Sequence, residues 1–329
     1  MVAAALRCAS AYPVTSVGCS VASPSMRSKG VGAALGDLDA AACSEGAPSA
    51  RNLLVTVFGD CVAPHGIGIT VSVADLTTLL APFAANERLV RTSLTRLSNR
   101  GLLAPTAVGR RSFYGVAPGA VERFARADRR IYGPRHPAWD GRWTLVVIDG
   151  TEATVERRAA FRQTLAESGF GSVAPNVLAS PVVPAADVAP LAVAAGLEQV
   201  LVTRGDLAPA AAGVLGGAEL ARRSTDLTWA SERYTEFVAR FERYPVDRVA
   251  ALTGEQALKL RMLLIGTYRR IILAEPLLPA GLAPEGWVGA RAREIVARLY
   301  DACAEAAEQH LAEVLGLKPR VPLGRFKVG

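Results

Sequence analysis

The sequence predicts an α+β, multidomain protein: an N-terminal winged helix-turn-helix, a central ferredoxin-like α/β unit and a C-terminal helical unit. Three observations carry this. Residues 76–114 read as helix, turn, helix and basic hairpin. Residues 139–203 alternate strand, helix, one or two strands, helix and strand, the order of a ferredoxin-like unit. Beyond residue 227 the apolar residues recur at helical spacing in three long segments.

Residues 1–48 are rich in Ala, Ser, Gly and Val, carry few charges and have no helical period. They are expected to be a disordered tail, or a start upstream of the natural one, because no long apolar core follows Arg7 as a signal peptide requires. Residues 52–58 suggest a first helix or buried apolar segment. CVAPHGIGITVSV reads as a loop and a short extended run. Leu76, Leu79, Leu80 and Phe83 mark a scaffold helix that ends near Pro82.

The second helix opens at Asn86, a good N-cap, with Glu87 at the positive end of the dipole. Val90, Leu94 and Leu97 fall at i, i+4 and i+7 and form one apolar stripe. Arg88, Arg91, Thr92, Thr95 and Arg96 lie off that stripe. Arginine forks onto guanine O6 and N7, and threonine meets a base edge or a thymine methyl. Gly101 closes the helix as a C′ glycine. Taken alone, this reads first as an amphipathic helix with an ordinary solvated basic face. The turn that follows, with Gly109, Arg110 and Arg111 between LLAP and SFYGV, tips the reading. A wing sets such cations against phosphate. VERFARADRRI is a further helix, and Pro134 and Pro137 mark a linker. The reading unit is thus expected over residues 49–133.

WTLVVID is a central strand, residues 154–169 a helix, VAPNVLASPV one or two strands, residues 187–196 a short helix and QVLVT a last strand. This unit spans residues 138–208, with a packing or dimerisation role. Residues 220–316 are expected to be helical, and residues 317–329 a mobile basic tail.

The chain has 329 residues, a net charge of +7 and half its residues hydrophobic, with a pI of about 9.4. The charge is uneven. Between Arg51 and Arg130, eleven arginines face five acids, which fits an anionic partner for this segment. Five scattered cysteines and three unclustered histidines argue against a zinc site or a disulfide framework. No apolar run reaches the roughly 20 residues of a membrane helix. The cytoplasm is the expected compartment, and no cofactor is expected.

FGDCVAPHG, LLAPFAANERLVRTSLTRLSNRGLL, VGRRSFYGV and RIYGPRHPAWDGRWTLVVIDG, with RMLLIGTYRRIILAEPLLPAGLAPEGWVGARAREIVARLY further on, resemble the PaaX-type repressors of phenylacetic acid degradation. The likeness runs from about residue 51 to residue 300. It implies a transcriptional repressor that binds a palindromic operator as a homodimer, and a middle domain similar to the Cas2 fold. It also implies release by an aryl-acetyl-CoA thioester, phenylacetyl-CoA in the family. Two departures bear on the effector. Gly266 and Thr267 stand where relatives often carry His-Glu, and Ala274 and Glu275 where they carry Arg-Asp.

A thioester of this kind needs cations for its phosphates and apolar walls for its acyl group. Trp229, Tyr234, Tyr268 and Trp287 are candidate walls, and Arg269, Arg270 and Arg291 candidate cations. The competing reading is core packing for the aromatics, and surface or ion-paired positions, with Glu294 as partner, for Arg269 and Arg270. Two other functions compete with this one. Asp149 ends the first strand of the middle unit, where a Cas2-like nuclease holds a metal. A single carboxylate is a poor Mg²⁺ site, and the residue equally ends a strand. No catalytic motif is present, so the chain is expected not to be an enzyme. An architectural protein binding DNA without regard to sequence is the third reading. If the repressor reading holds, Arg91 and Thr92 read base edges, Arg110 and Arg111 take phosphate, and residues 133–137 form the joint between reader and sensor.

Overall fold

The computed structural model describes residues 48–134, 139–149, 154–197, 199–207, 211–212, 214–224, 227–275, 278–284, 286–320 and 324–326. The expectations for residues 1–47, and for residues 135–137 of the joint, lie outside these. No helix among the described residues is long and apolar enough to cross a membrane.

Helix α1 (Ala50–Thr56) starts at Ser49, whose hydroxyl accepts from the Asn52 amide. The chain then widens into a π-helical stretch, Val57–Val62. Strand β1 (Thr70–Ser72) leads into α2 (Val73–Leu80), capped by Ser72. A short turn containing Ala84 in the left-handed region connects it to α3 (Glu87–Asn99). Strands β2 (Leu103–Val108) and β3 (Arg111–Val116) form a hairpin, and β1 pairs with β3, so the antiparallel order is β1-β3-β2. Helix α4 (Val121–Tyr132) closes the unit. The order helix, turn, helix, hairpin is the one the sequence predicts.

In the middle of the chain, β4 (Trp143–Ile148), α5 (Val155–Ser168), β5 (Gly171–Ala174), β6 (Val177–Ser180), α6 (Val188–Ala194) and β7 (Val200–Gly205) follow in turn. The sheet is antiparallel with order β5-β6-β4-β7. VAPNVLASPV is therefore a hairpin, two strands rather than one. The sheet pleat divides the side chains of β4. Val146 and Ile148 face Phe161, Leu165 and Val188, whereas Trp143 faces the opposite layer with Leu220 and Leu282. That layer contains α7 (Gly217–Ser224), a helix the sequence reading passed over. Gly171 makes it possible: a Cβ there would stand 1.9 Å from the Ser224 carbonyl oxygen.

Helices α8 (Thr228–Phe241), α9 (Val246–Ala250), α10 (Gly254–Ile272) and α11 (Val288–Leu315) complete the chain. A full capping box of Thr253 and Gln256 starts α10, and α10 packs along α11.

Two expectations change. The units at residues 49–133 and 220–316 do not have separate cores. Leu53, Phe58, Leu76 and Leu94 belong to the same apolar cluster as Tyr234, Leu263, Tyr268 and Leu299. The reason is that α1 is apolar on two sides. One packs on α3 and the other on α10. The expected mobile tail is the second change, because Phe326 is buried among Tyr132, Tyr268 and Tyr300, with ring centroids 4.9, 6.3 and 5.4 Å away.

A buried polar cluster fastens the same junction. The π-helical stretch turns Asp60 inward, at 3% exposure. Its carboxylate accepts from Tyr132 Oη (2.5 Å), Arg261 Nε (2.7 Å), Arg325 Nη1 (2.6 Å) and Tyr300 Oη (3.0 Å). Arg261 also donates to Glu308 at 2.6 Å, and Arg325 to Asp128. Burial alone would raise the Asp60 carboxyl, but Arg261 and Arg325 outweigh it and hold the group below the ordinary carboxylate range. Burial and the neighbouring Asp60 push the Tyr132 phenol well up. The first residue of the expected joint is also held, since Arg293 Nη2 donates to the Gly133 carbonyl at 2.5 Å.

Candidate nucleic-acid interface

Helix α3 owes its start to Asn86, whose side chain accepts from the Leu89 amide at 2.9 Å, with Glu87 in the first turn. Val90, Ser93, Leu94 and Leu97 are buried, so the stripe read from the sequence is the core face. This fixes the rotation of the helix. Arg88, Arg91, Thr92, Thr95 and Arg96 are all exposed on the other side.

These five side chains are not equally free. Arg91 donates to Glu87 through Nε at 2.8 Å and Nη2 at 2.6 Å, both partners more than half exposed. That pair has to open before Arg91 meets a base, at small cost because it lies in water. Thr92 and Thr95 donate their hydroxyls to the carbonyls of Arg88 and Arg91, at 2.8 and 3.1 Å. Their methyls and remaining lone pairs stay available. Arg88 and Arg96 have no ion pair among the described residues. The sequence reading missed Leu89, an apolar side chain 46% exposed on the same helix. It lies off the Val90–Leu94–Leu97 stripe, which was the available signal. A side chain of this kind can contact a thymine methyl.

The hairpin pairs Leu103 with Val116 and Val108 with Arg111, leaving Gly109 and Arg110 as a two-residue loop. Gly109 has φ +59° at the first loop position, the conformation a II′ turn requires and a reason for glycine there. Arg110 and Arg111 are exposed at the tip, with no ion pair among the described residues. The structure therefore offers an exposed helix face with three arginines and an exposed hairpin tip with two more, both suited to a polyanion.

The residues expected to hold an effector do not form one site. Tyr234 and Tyr268 are fully buried with ring centroids 6.3 Å apart, and Trp287 packs edge-on to Tyr234 at 5.9 Å. Glu275 ties this group together, accepting from Tyr234 Oη at 2.5 Å and Trp287 Nε1 at 3.1 Å. Core packing is thus what Tyr234 and Tyr268 do, because helical spacing turns them into the interior, while Trp287, half-buried just before α11, packs against that core. Trp229 is instead 44% exposed. Arg291 is engaged by Glu242 at 2.9 Å and Glu294 at 2.9 Å, so the partner expected for Arg269 and Arg270 belongs to Arg291. Arg270 is exposed. Arg269 donates to Thr56 Oγ1 and to the Asn52 carbonyl, both at 3.1 Å. Burial and the adjacent Arg270 push its guanidinium down to about 10. Asp149 is exposed just past β4.

Comparison with known proteins finds three family matches in chain order. Residues 49–118 match the PaaX-like protein family, residues 136–212 the PaaX protein central Cas2-like domain and residues 226–313 the PaaX-like protein C-terminal domain. The transcriptional repressor PaaX of Escherichia coli strain K12 is 34% identical over 271 residues, covering 80% of this chain and 84% of the relative. Among solved structures, an uncharacterized protein of Mycobacterium tuberculosis is similar at 22% identity and a TM-score of 0.49. It covers 82% of this chain and 97% of the other.

Proposed function

Because the chain belongs to the PaaX-like family, we propose that it is a DNA-binding transcriptional repressor whose residues 49–133 act as a winged helix-turn-helix. The observation that carries this is the shared exposure of Arg88, Arg91, Thr92, Thr95 and Arg96 on α3 and of Arg110 and Arg111 on the loop beside it. Helix α3 enters the major groove, and its N-terminal residues meet base edges. The loop cations take phosphate and set the register. A homodimer places two such helices on a palindrome with half-sites about 10 base pairs apart, or a multiple of that. The effector is an aryl-acetyl-CoA thioester, phenylacetyl-CoA being the first to try, and the regulated genes serve aromatic-acid catabolism. The compartment is the cytoplasm.

Fluorescence anisotropy with DNA from upstream of the protein's own gene tests the reading. That DNA should bind about 10³-fold more tightly than random sequence, and phenylacetyl-CoA should release it. Equal binding to both DNAs would favour an architectural protein. Specific binding unchanged by millimolar ligand would remove the thioester.

A further inference from the structure

A cavity lies between α1, α4 and α10, where the two units share one core. We propose that it receives the aromatic acyl end of the effector; this rests on the thioester reading above. Its volume is about 150 Å³, and an apolar hollow of that size takes a benzene-sized group. Val55 comes from α1, Phe124, Ala127 and Ile131 from α4, and Ile265 from α10. Two cations reach it. Arg123 lies exposed at the rim with no ion pair among the described residues. Arg269 lines the hollow with only hydroxyl and carbonyl partners for its guanidinium in Thr56 and Asn52. The two acids in the lining are committed elsewhere, Asp60 to Arg261 and Arg325, and Asp128 to Arg325.

A thioester carries a long, anionic arm. A second hollow of about 470 Å³ adjoins the first, with Gly59, Phe124 and Asp128 common to both. Arg320 stands along it, as does Arg129, whose solvent-exposed pair with Glu122 at 2.7 Å opens at small cost. The acyl group sits in the small apolar lobe, and the arm crosses Gly59 toward these cations.

The place also explains a response at the DNA. Helix α1 packs on both α3 and α10. Beside the cavity there is little slack, since a Cβ on Gly266 would stand 3.3 Å from Thr56 Oγ1. A ring inserted here acts on α1 and, through it, on α3. Ligand shifts the equilibrium by its differential contact with the two arrangements. The family departure at Gly266 thus lies next to the proposed ligand wall.

Calorimetric titration of the full chain with phenylacetyl-CoA and with the neutral phenylacetamide tests this. Wild type should bind both, and Ala127→Phe, which fills the hollow, should weaken both by about tenfold or more. Arg123→Gln, an exposed change that leaves the fold intact, should weaken only the thioester. Undiminished binding to Ala127→Phe, with loss in Trp229→Ala or Arg291→Gln instead, would overturn the proposal in favour of the helical unit. If Ala127→Phe fails to unfold cooperatively, the Arg123→Gln result decides alone, and unchanged thioester affinity there overturns the site. Wild type that binds phenylacetamide in this cavity but no thioester would remove the thioester and keep the cavity. Wild type that binds neither would remove both.

Discussion

Asn in place of Asp60 is the sharpest test of how residues 49–133 are held to the rest of the chain. The carboxylate pairs with two guanidinium groups, one of them, Arg261, only 1% exposed, and accepts from two phenols. Asp60→Asn keeps one acceptor oxygen, removes the charge and turns an amide toward donors. Breaking a buried pair by removing one partner costs about 3–5 kcal/mol; Glu308 still faces Arg261 and Asp128 still faces Arg325, so the lower end, about 3 kcal/mol, is expected. At roughly 2–4 °C per kcal/mol for a large domain, the melting temperature should drop by about 10 °C. Circular dichroism during heating and in urea measures both. A loss under about 1 kcal/mol, the range of a solvated pair, would refute the claim that this cluster is dry and structural. The pH dependence gives a second reading. The folded carboxyl is held below its unfolded value. Its stabilisation is therefore complete above about pH 4 and fades as pH falls toward the folded value, so wild type should lose more stability with acid there than Asp60→Asn, which keeps only the contribution of other depressed carboxyls such as Asp140.

Arg111→Ala should weaken every DNA sequence alike and lower the salt slope by about one unit. Arg91→Ala should cost about 1–3 kcal/mol on the operator and relax one position, and identical behaviour of the two across operator variants would refute the division of roles. Gly171→Ala forces its methyl into the Ser224 carbonyl, and urea unfolding should show a loss of about 1–3 kcal/mol; a neutral result would mean that α7 does not lie on the sheet. Phe326→Ala should cost about 3 kcal/mol or more, as for other buried rings. Near-zero cost in the same assay would return the C-terminal residues to a mobile tail.

Local pattern carried much of this molecule. The Val90–Leu94–Leu97 stripe sets the rotation of α3, so the exposed arginines could be named from periodicity alone. The hairpin was legible because a Gly-Arg turn between two extended runs has few alternatives. What escaped was contact across distance. The partners of Asp60 at residues 261 and 325 lie about 200 or more positions away, beyond any periodicity. The available signal was one acid within the apolar run VTVFGDCV, a position where a charge needs a partner. The aromatics misled for a related reason. Tyr234, Tyr268 and Trp287 do converge, as a ligand site would require, but Tyr234 and Trp287 close on Glu275 and Tyr268 packs on Tyr234. Helix α7 escaped because its eight residues offer little more than two turns of pattern.

The docking of Arg325 and Phe326 onto Asp60, Tyr132 and Tyr300 has a consequence for biosynthesis. Domains emerging from the ribosome generally fold N-terminal first. Here residues 49–133 are completed by Arg325 and Phe326, which are translated long after them. A nascent chain that has not yet reached Arg325 leaves the Asp60 carboxylate and a patch of aromatic surface without their cover. Residues 49–133 therefore reach their final packing only once that distant segment has been made, so this unit does not finish folding ahead of the rest.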